Sequence, residues 1–243
     1  PASASPDDSQ KEDLMSPLLL TVALIVAAFW AWNRLGRPGR GHRPGTPGAS
    51  AFARARELRT PLVRLATACG VQTRAARLAD QYEAGGVGEQ YVAGLLAELS
   101  DEGWVFLWDR RLPSGSTNID GLAISPRGHV YVLDPKKMSK NWEVAVDGGR
   151  LWHGSRDVTD RLEGLRKGAR AVQSLLSVQP VAVAIIDGRL AHGREYRLNG
   201  CRIIPATRAC AVLRRLDAER LPRQRPDHFP DIAARLLPPY TGR

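Results

Sequence analysis

A chain of 243 residues with 43% hydrophobic and 25% charged residues has room for one medium globular domain plus appendages, and wholesale disorder is excluded. Its three cysteines, Cys69, Cys201 and Cys210, make no C-x-x-C pair, which excludes a zinc ribbon or a disulfide framework, favours a reducing compartment and leaves them as small buried hydrophobes. The formal net charge of +10 is unevenly placed: residues 1–13 carry −3, residues 33–77 carry +9 from ten Arg against Glu57, and residues 78–243 carry the remaining +4.

The acidic tail 1–13 is followed by Leu14 to Trp32, which has no charged residue. At ~1.5 Å per helical residue this run reaches about 28 Å, enough for a ~30 Å hydrocarbon core. Acidic residues precede it and bulky Phe29, Trp30 and Trp32 end it, so residues 14–32 are expected to be a transmembrane helix rather than a cleaved signal. Arg34, Arg37, Arg40 and Arg43 follow at once, and the positive-inside rule then gives a single-pass cell-membrane protein with its C-terminal domain in the cytoplasm. The basic excess reads first as this topology signal, with contact to anionic lipid or nucleic acid as alternatives.

Residues 33–50 are rich in Gly, Pro and Arg and read as a flexible linker. A basic helical segment is expected over 51–84, with Ser50 capping a helix to about Ala68 and a second helix from Thr73 to Glu83. Another helix is expected from Gly88 to Ser100, then strands near Trp104–Trp108, Asn118–Ile124 and Val130–Lys136. A hairpin at 143–153 turns at Asp147-Gly148-Gly149. A long helix follows from Val158 to Leu176, the apolar β-branched run Val181–Ile186 is a buried strand, and Arg202–Ile204 is a short one. Thr207 is placed to cap a helix to about Leu216, and five prolines break the tail 218–243 into short pieces.

Within this order, carboxylates recur where apolar residues are expected. Tyr91, Val92, Leu95, Leu96 and Leu99 make one helix face, and Glu89 borders it, either as a partnered buried acid or as a helix-start acid on the positive dipole end. Asp120 shares a strand face with Leu122 and Ile124, and Asp134 and Lys136 share one with Val130 and Val132, while Lys137 turns away. Divalent metals take hard oxygen ligands, and phosphodiester cleavage needs a cation near the phosphate, so two converging Asp and a Lys suit that chemistry. A plain strand-end ion pair between Asp134 and Lys136 is the alternative. His129 and His153 read as surface or packing residues. Neither a P-loop, a dinucleotide fingerprint nor a Ser or Cys nucleophile motif is present.

Taken together, Gly85-Gly86-Val87-Gly88-Glu89, Asn118-Ile119-Asp120 and Gly128 to Lys136 resemble the nuclease-related (NERD) family of the PD-(D/E)XK class. Trp142 and Gly149-Arg150-Leu151-Trp152 are similar to the stretch C-terminal to the lysine in that family. The resemblance covers roughly 85–176 and extends toward 216, and a nuclease-related domain is assigned to 85–217. It implies a restriction-endonuclease-like α/β fold with a mixed central sheet flanked by helices. It also implies Glu89, Asp120, Asp134 and Lys136 as catalytic residues, with Asp120, Asp134 and Glu89 as ligands of Mg²⁺ or Mn²⁺. The implied activity is metal-dependent hydrolysis of nucleic acid, DNA in preference to RNA; the rival is a catalytically degenerate module that binds nucleic acid or a partner at the membrane.

Two departures from the family pattern stand out. Pro135 sits inside the acidic-x-Lys strand, where it removes a ladder N–H and is tolerated at edges or bulges. The helix after the motif offers Glu163, Arg166, Lys167 and Arg170 where a polar partner such as Gln is common, with Gln173 a turn later. The hairpin register is also constrained. A loop over Ser125–His129 pairs Ile124 with Val130, Leu122 with Val132 and Asp120 with Asp134, whereas a tight four-residue turn would put the two Asp on opposite faces.

Overall fold

The computed structural model describes Thr21, Val22, Leu24 and residues 42–113 and 118–241. The expected transmembrane run Leu14–Trp32 therefore lies, but for three residues, outside the described residues, as do the acidic tail and linker residues 33–41. Among the described residues no helix is long and apolar enough to cross a membrane.

Two compact units are distinguished, and the smaller contains Leu58–Arg77. Its helix α2, Pro61–Ala68, starts with proline in the first turn, and Thr60 Oγ1 accepts the Val63 N–H at 3.4 Å. Thr60-Pro61 is why the single helix expected from Ser50 to Ala68 is two: α1, Ala49–Leu58, ends before the proline. Cys69 is exposed here rather than buried, while Cys201 is buried and Cys210 half-buried.

The larger unit holds His42–Glu57 and Leu78–Arg243. Residues 42–48, expected to be linker, form turns leading into α1, because Gly45 (φ 79°) and Gly48 (φ 75°) supply left-handed backbone. Helix α3 runs unbroken from Arg74 to Leu96, with Thr73 Oγ1 accepting from Ala76 N at 3.1 Å, and a 3₁₀ turn covers Ala97–Glu102. The expected break between Glu83 and Gly88 is absent. Its glycines serve close approach instead. A Cβ on Gly86 would lie 2.8 Å from the Phe52 ring, and one on Gly88 would lie 3.0 Å from Lys137 Cβ.

The main sheet has the order β1-β2-β3-β7-β10-β9, from Val105–Arg111 (β1), Asn118–Ile124 (β2), Val130–Lys137 (β3), Val181–Asp187 (β7), Cys201–Pro205 (β10) and Tyr196–Leu198 (β9). Pairs β3–β7 and β7–β10 are parallel and the others antiparallel. A second, four-stranded sheet joins Glu143–Asp147 (β4), Arg150–His153 (β5), Arg156–Asp157 (β6) and Arg189–Leu190 (β8). This is a mixed α/β fold with a mixed central sheet. Helix α4, Glu163–Leu176, buries Leu165, Gly168, Val172 and Leu176 on the face of Val130 and Val132. The opposite face, Tyr131 and Leu133, is covered by Val92, Leu96 and Leu99 and by α5, Ala209–Ala218. Strand β7 is buried on both faces, which accounts for its unbroken apolar run.

Three further differences have local causes. A 3₁₀ turn at Ala206–Arg208 precedes α5, and no side chain caps it, so Thr207 has no capping role. In the tail, α6 (Phe229–Leu236) buries Phe229 and Ala233 against the core, and beyond it Arg111 N–H donates to Pro238 O at 2.9 Å. The proline-rich end therefore lines the free edge of β1. Pro135 sits in the central strand β3, beyond the last pair with β2, Gly121–Leu133, where β3 has only β7 beside it and is locally an edge.

The β2–β3 hairpin pairs Ile124 with Val130 and Leu122 with Val132, and the register extends toward Asp120 and Asp134. Gly128 N–H closes a turn on Ser125 O at 2.9 Å, and Ser125 N–H donates to His129 O at 2.9 Å. Gly128, at φ 79°, and His129 thus oppose Ser125 in the manner of a bulge. A Cβ on Gly128 would meet Arg223 O at 2.3 Å. Left-handed strain and this backbone clash together lead us to expect Gly128→Ala to cost about 2–3 kcal/mol, measured by denaturant unfolding; a loss below about 0.5 kcal/mol would mean that the hairpin does not depend on this glycine.

Candidate active site

Because β2 and β3 stop pairing at Gly121–Leu133, the residues just beyond, Asp120 and Asp134, lie at the open mouth of the hairpin. Asp134 is 5% exposed, and its Oδ2 takes an ion pair from Lys136 Nζ at 2.7 Å. Lys136 is half-buried. Lys137, one residue on, is exposed with its stem against Gly88, so strand alternation separates the two lysines as expected. Asp120 is half-buried, and when protonated it donates to Asp134. The two aspartates thus meet at one place, and opposite-face placement is excluded.

Glu89 arrives from the other side of the sheet. It is residue 16 of the 23-residue helix α3, so it is no helix-start acid on its own helix. It is only 8% exposed, and its Oε2 accepts the Gly48 N–H at 3.0 Å. The carboxylate instead faces the N-terminus of another helix, α1, whose free N–H groups need acceptors. The close approach of Gly86 to the Gly48 and Phe52 segment permits this contact: a Cβ on Gly48 would strike Gly86 O at 2.7 Å.

One acid in this cluster escapes prediction. Asp109 on β1 is fully buried at φ 49°, with Oδ2 accepting the Ser50 N–H at 2.8 Å and Oδ1 accepting Asn118 Nδ2 at 2.8 Å. Asn118 also donates to Ser50 Oγ at 3.0 Å. The signal was available: Asp109 continues the alternation of Val105 and Leu107, where an apolar side chain is expected.

Crowding four carboxyl groups against one ammonium raises proton affinities. Burial, then the Asp109 and Asp134 carboxylates, push Glu89 up to about 8 against the opposing pull of Gly48 N–H and Lys136. Burial first, then Glu89 and Asp134, push Asp120 well above the usual carboxylate range, with Lys136 opposing. Asp109 is raised chiefly by burial, and its hydrogen bonds from Asn118 and Ser50 restrain the shift. Asp134 Oδ1 is withdrawn from solvent and has no hydrogen-bond donor among the described residues. A proton held by Asp120 or a bound cation would satisfy it.

The donor chemistry suits a hard divalent ion, since Mg²⁺ is commonly held by one or two carboxylates with waters completing the shell. Asp120 and Asp134 are the pair that fits. Among the described residues no group of three or more His, Cys, Asp or Glu is arranged to hold a metal, and Glu89 is engaged by Gly48. A small cavity of about 110 Å³ adjoins the pair, walled by Asn118, Lys136, Gly164 and Leu165. A wider cleft of about 700 Å³ leads away past Asn118 and Asp120 between Arg54, Tyr82 and Tyr240.

The helix after the motif contributes little to this pocket. Glu163 draws in Arg166 at 3.3 Å and Lys167 at 3.5 Å. Gln173 lines a different cavity together with His129, so it cannot serve the carboxylates. Neither histidine is here: His129 is buried at the start of β3, and His153 Nε2 lies 3.1 Å from Ser139 O.

These observations define a mixed α/β protein with an acidic, lysine-bearing pocket at the end of its central sheet. Residues 84–186 match the family model of the nuclease-related domain, NERD, and the chain carries that domain over those residues. No curated protein and no solved structure matches the chain. The match contains Glu89, Asp120, Asp134 and Lys136 and ends with β7; β9, β10 and α5 complete the sheet and its cover beyond it.

The raised affinity of Glu89 has a sign that can be checked. Its folded value of about 8 lies above the 4.5 of an ordinary glutamate. The native state therefore binds the extra proton, and stability present below pH 4.5 is lost as pH rises through about 8. With chelator present, the melting temperature of the wild type should fall more steeply over that interval than that of Glu89→Gln, which keeps an acceptor for Gly48 and has no proton to lose. Parallel profiles would show that Glu89 is ionised like a surface acid.

Proposed function

We propose that this protein is a membrane-anchored, metal-dependent nuclease that hydrolyses phosphodiester bonds, with DNA the preferred substrate over RNA. The observation that carries the reading is the solvent-withdrawn Asp134 Oδ1, without a donor among the described residues, beside Asp120 and the Lys136 ammonium within a NERD domain. In this reading Asp120 and Asp134 hold Mg²⁺ or Mn²⁺, whose positive charge would stabilise the phosphate and make a bound water more acidic. Lys136, held by its 2.7 Å ion pair with Asp134, would supply an N–H to the attacking water or to a phosphate oxygen. Glu89, which accepts the Gly48 N–H, would orient water or, if released from Gly48, complete the ligand shell. The cleft of about 700 Å³ past Asp120 would offer a nucleic-acid strand two rings, Tyr82 and Tyr240, and the cation Arg54, which pairs with Glu57 at 2.8 Å.

The anchor is proposed from the uncharged run Leu14–Trp32, and the arginines after it support a nuclease-related domain on the cytoplasmic face of the cell membrane. The full chain should then partition with membranes and resist alkaline extraction; recovery in the aqueous phase would remove the anchor and leave the nuclease reading standing.

Activity is tested on single- and double-stranded DNA and RNA with Mg²⁺, Mn²⁺ or chelator. Asp134→Ala and Lys136→Ala should each lower metal-dependent cleavage by about 10²–10³-fold, while Lys137→Ala should leave the rate nearly unchanged. Cleavage by Lys136→Ala at the wild-type rate would overturn the mechanism. Metal-independent, steeply salt-dependent binding without cleavage would identify a degenerate binding module instead.

A further inference from the structure

The opposite end of β3 carries a second cluster that the nuclease reading does not use. His129 is 3% exposed and lines a cavity of about 580 Å³ together with Arg220, Arg223 and Arg225. His129 Nε2 and Arg220 Nη1 are both withdrawn from solvent and have no hydrogen-bond partner among the described residues. Leaving a guanidinium N–H and an imidazole nitrogen unpaired is costly, so their pairing with a ligand would recover free energy.

The segment Arg220–Arg225 is fixed by contacts that leave the Arg220 and Arg223 guanidinium groups without a carboxylate partner among the described residues. Arg127 Nη2 donates to Arg220 O at 2.8 Å, Arg223 N–H donates to Arg127 O at 2.8 Å, and Arg225 Nε donates to Gly128 O at 2.7 Å. The Arg225 guanidinium also lies 4.4 Å over the Phe229 ring. These partners are carbonyls and a ring, not carboxylates. Around His129 the charged neighbours are Arg220, Arg223 and Arg127 against the single acid Asp217, which already accepts the Tyr131 hydroxyl at 3.4 Å. Positive charge is therefore concentrated around a cavity with too little acid to balance it.

We propose that this cavity is a binding site for a phosphate group, separate from the carboxylate pocket, with Arg220 and Arg223 as its principal donors and His129 at its wall. Planar guanidinium forks match the oxygens of a phosphate and supply the charge to hold a dianion. The site is not a second contact to the scissile phosphate. His129 and Asp134 are five strand positions apart, about 17 Å at ~3.3 Å per residue, and their side chains leave opposite faces of β3.

The test is titration calorimetry of the full chain, in chelator, with inorganic phosphate and separately with adenosine 5′-monophosphate. Phosphate should bind with a dissociation constant of about 1 mM or below. Arg220→Gln/Arg223→Gln should weaken it by tenfold or more, and Asp134→Asn should leave it unchanged. Arg223 is exposed, so Arg223→Gln alone, expected to weaken binding about tenfold, serves if the double variant does not fold. Tighter binding of the mononucleotide than of inorganic phosphate makes the ligand nucleotide-borne; equal binding makes the free anion sufficient, and both results keep the site. Absence of phosphate binding in the wild type, or binding that the arginine variants leave unchanged, overturns it. Neither result depends on metal or on cleavage, so the site stands or falls apart from the nuclease reading.

Discussion

Carboxyl groups brought out of water beside one another repel, and each also loses its hydration, so a cluster of Glu89, Asp109, Asp120 and Asp134 persists only where other groups offset that cost. The molecule supplies them one by one. Lys136 pairs with Asp134, Gly48 N–H holds Glu89, and Ser50 with Asn118 holds Asp109. What is left over is a proton affinity displaced upward at Glu89 and Asp120 and an oxygen of Asp134 that is unpaired among the described residues. A divalent cation between Asp120 and Asp134 would favour their ionised forms and give the free oxygen a partner.

Assembling the cluster takes two layers that meet only because backbones approach closely. Helix α3 covers the Tyr131 and Leu133 face, while Asp120 and Asp134 continue the Val130 and Val132 phase. Glu89 joins them because the hairpin ladder ends at Gly121–Leu133 and because glycines thin the helix where it passes Lys137 and Phe52. Pro135 is part of the same arrangement. At a position flanked by strands on both sides it would break the ladder, whereas beside an open hairpin mouth it marks the place where the sheet gives way to the pocket.

Strand β3 therefore joins two unlike environments. Its first residue neighbour, His129, sits among arginines, its middle is buried on both faces, and its end carries the acid and the lysine. Charges of opposite sign at the two ends of one apolar strand are kept apart by the hydrophobic core between them, so neither neutralises the other. The segment from Arg220 to Arg225 closes the basic end, and the start of α1 closes the acidic end. Both closures come from chain outside residues 84–186, so the core of the domain and the walls of its cavities have different sequence origins.

The sequence by itself determined the long strands of the central sheet and the phase of their side chains, but not the short strands β6, β8 and β9. Alternation in Asn118–Ile124 and Val130–Lys137 placed Asp120, Asp134 and Lys136 on one face and turned Lys137 away, and matching hydrophobes across the hairpin set its register. These are short-range properties, fixed by a two-residue period and a turn. Tertiary structure alone decided the rest. Gly85-Gly86-Val87-Gly88 reads locally as a helix start, yet helix α3 runs through it, because packing against Phe52 and Lys137 outweighs the poor helix propensity of glycine. The burial of Asp109 was legible in the alternation of β1, but its contact with Ser50 and that of Gly48 with Glu89 were not: these partners are 59 and 41 residues away in the chain, and no local pattern encodes a contact made at that distance.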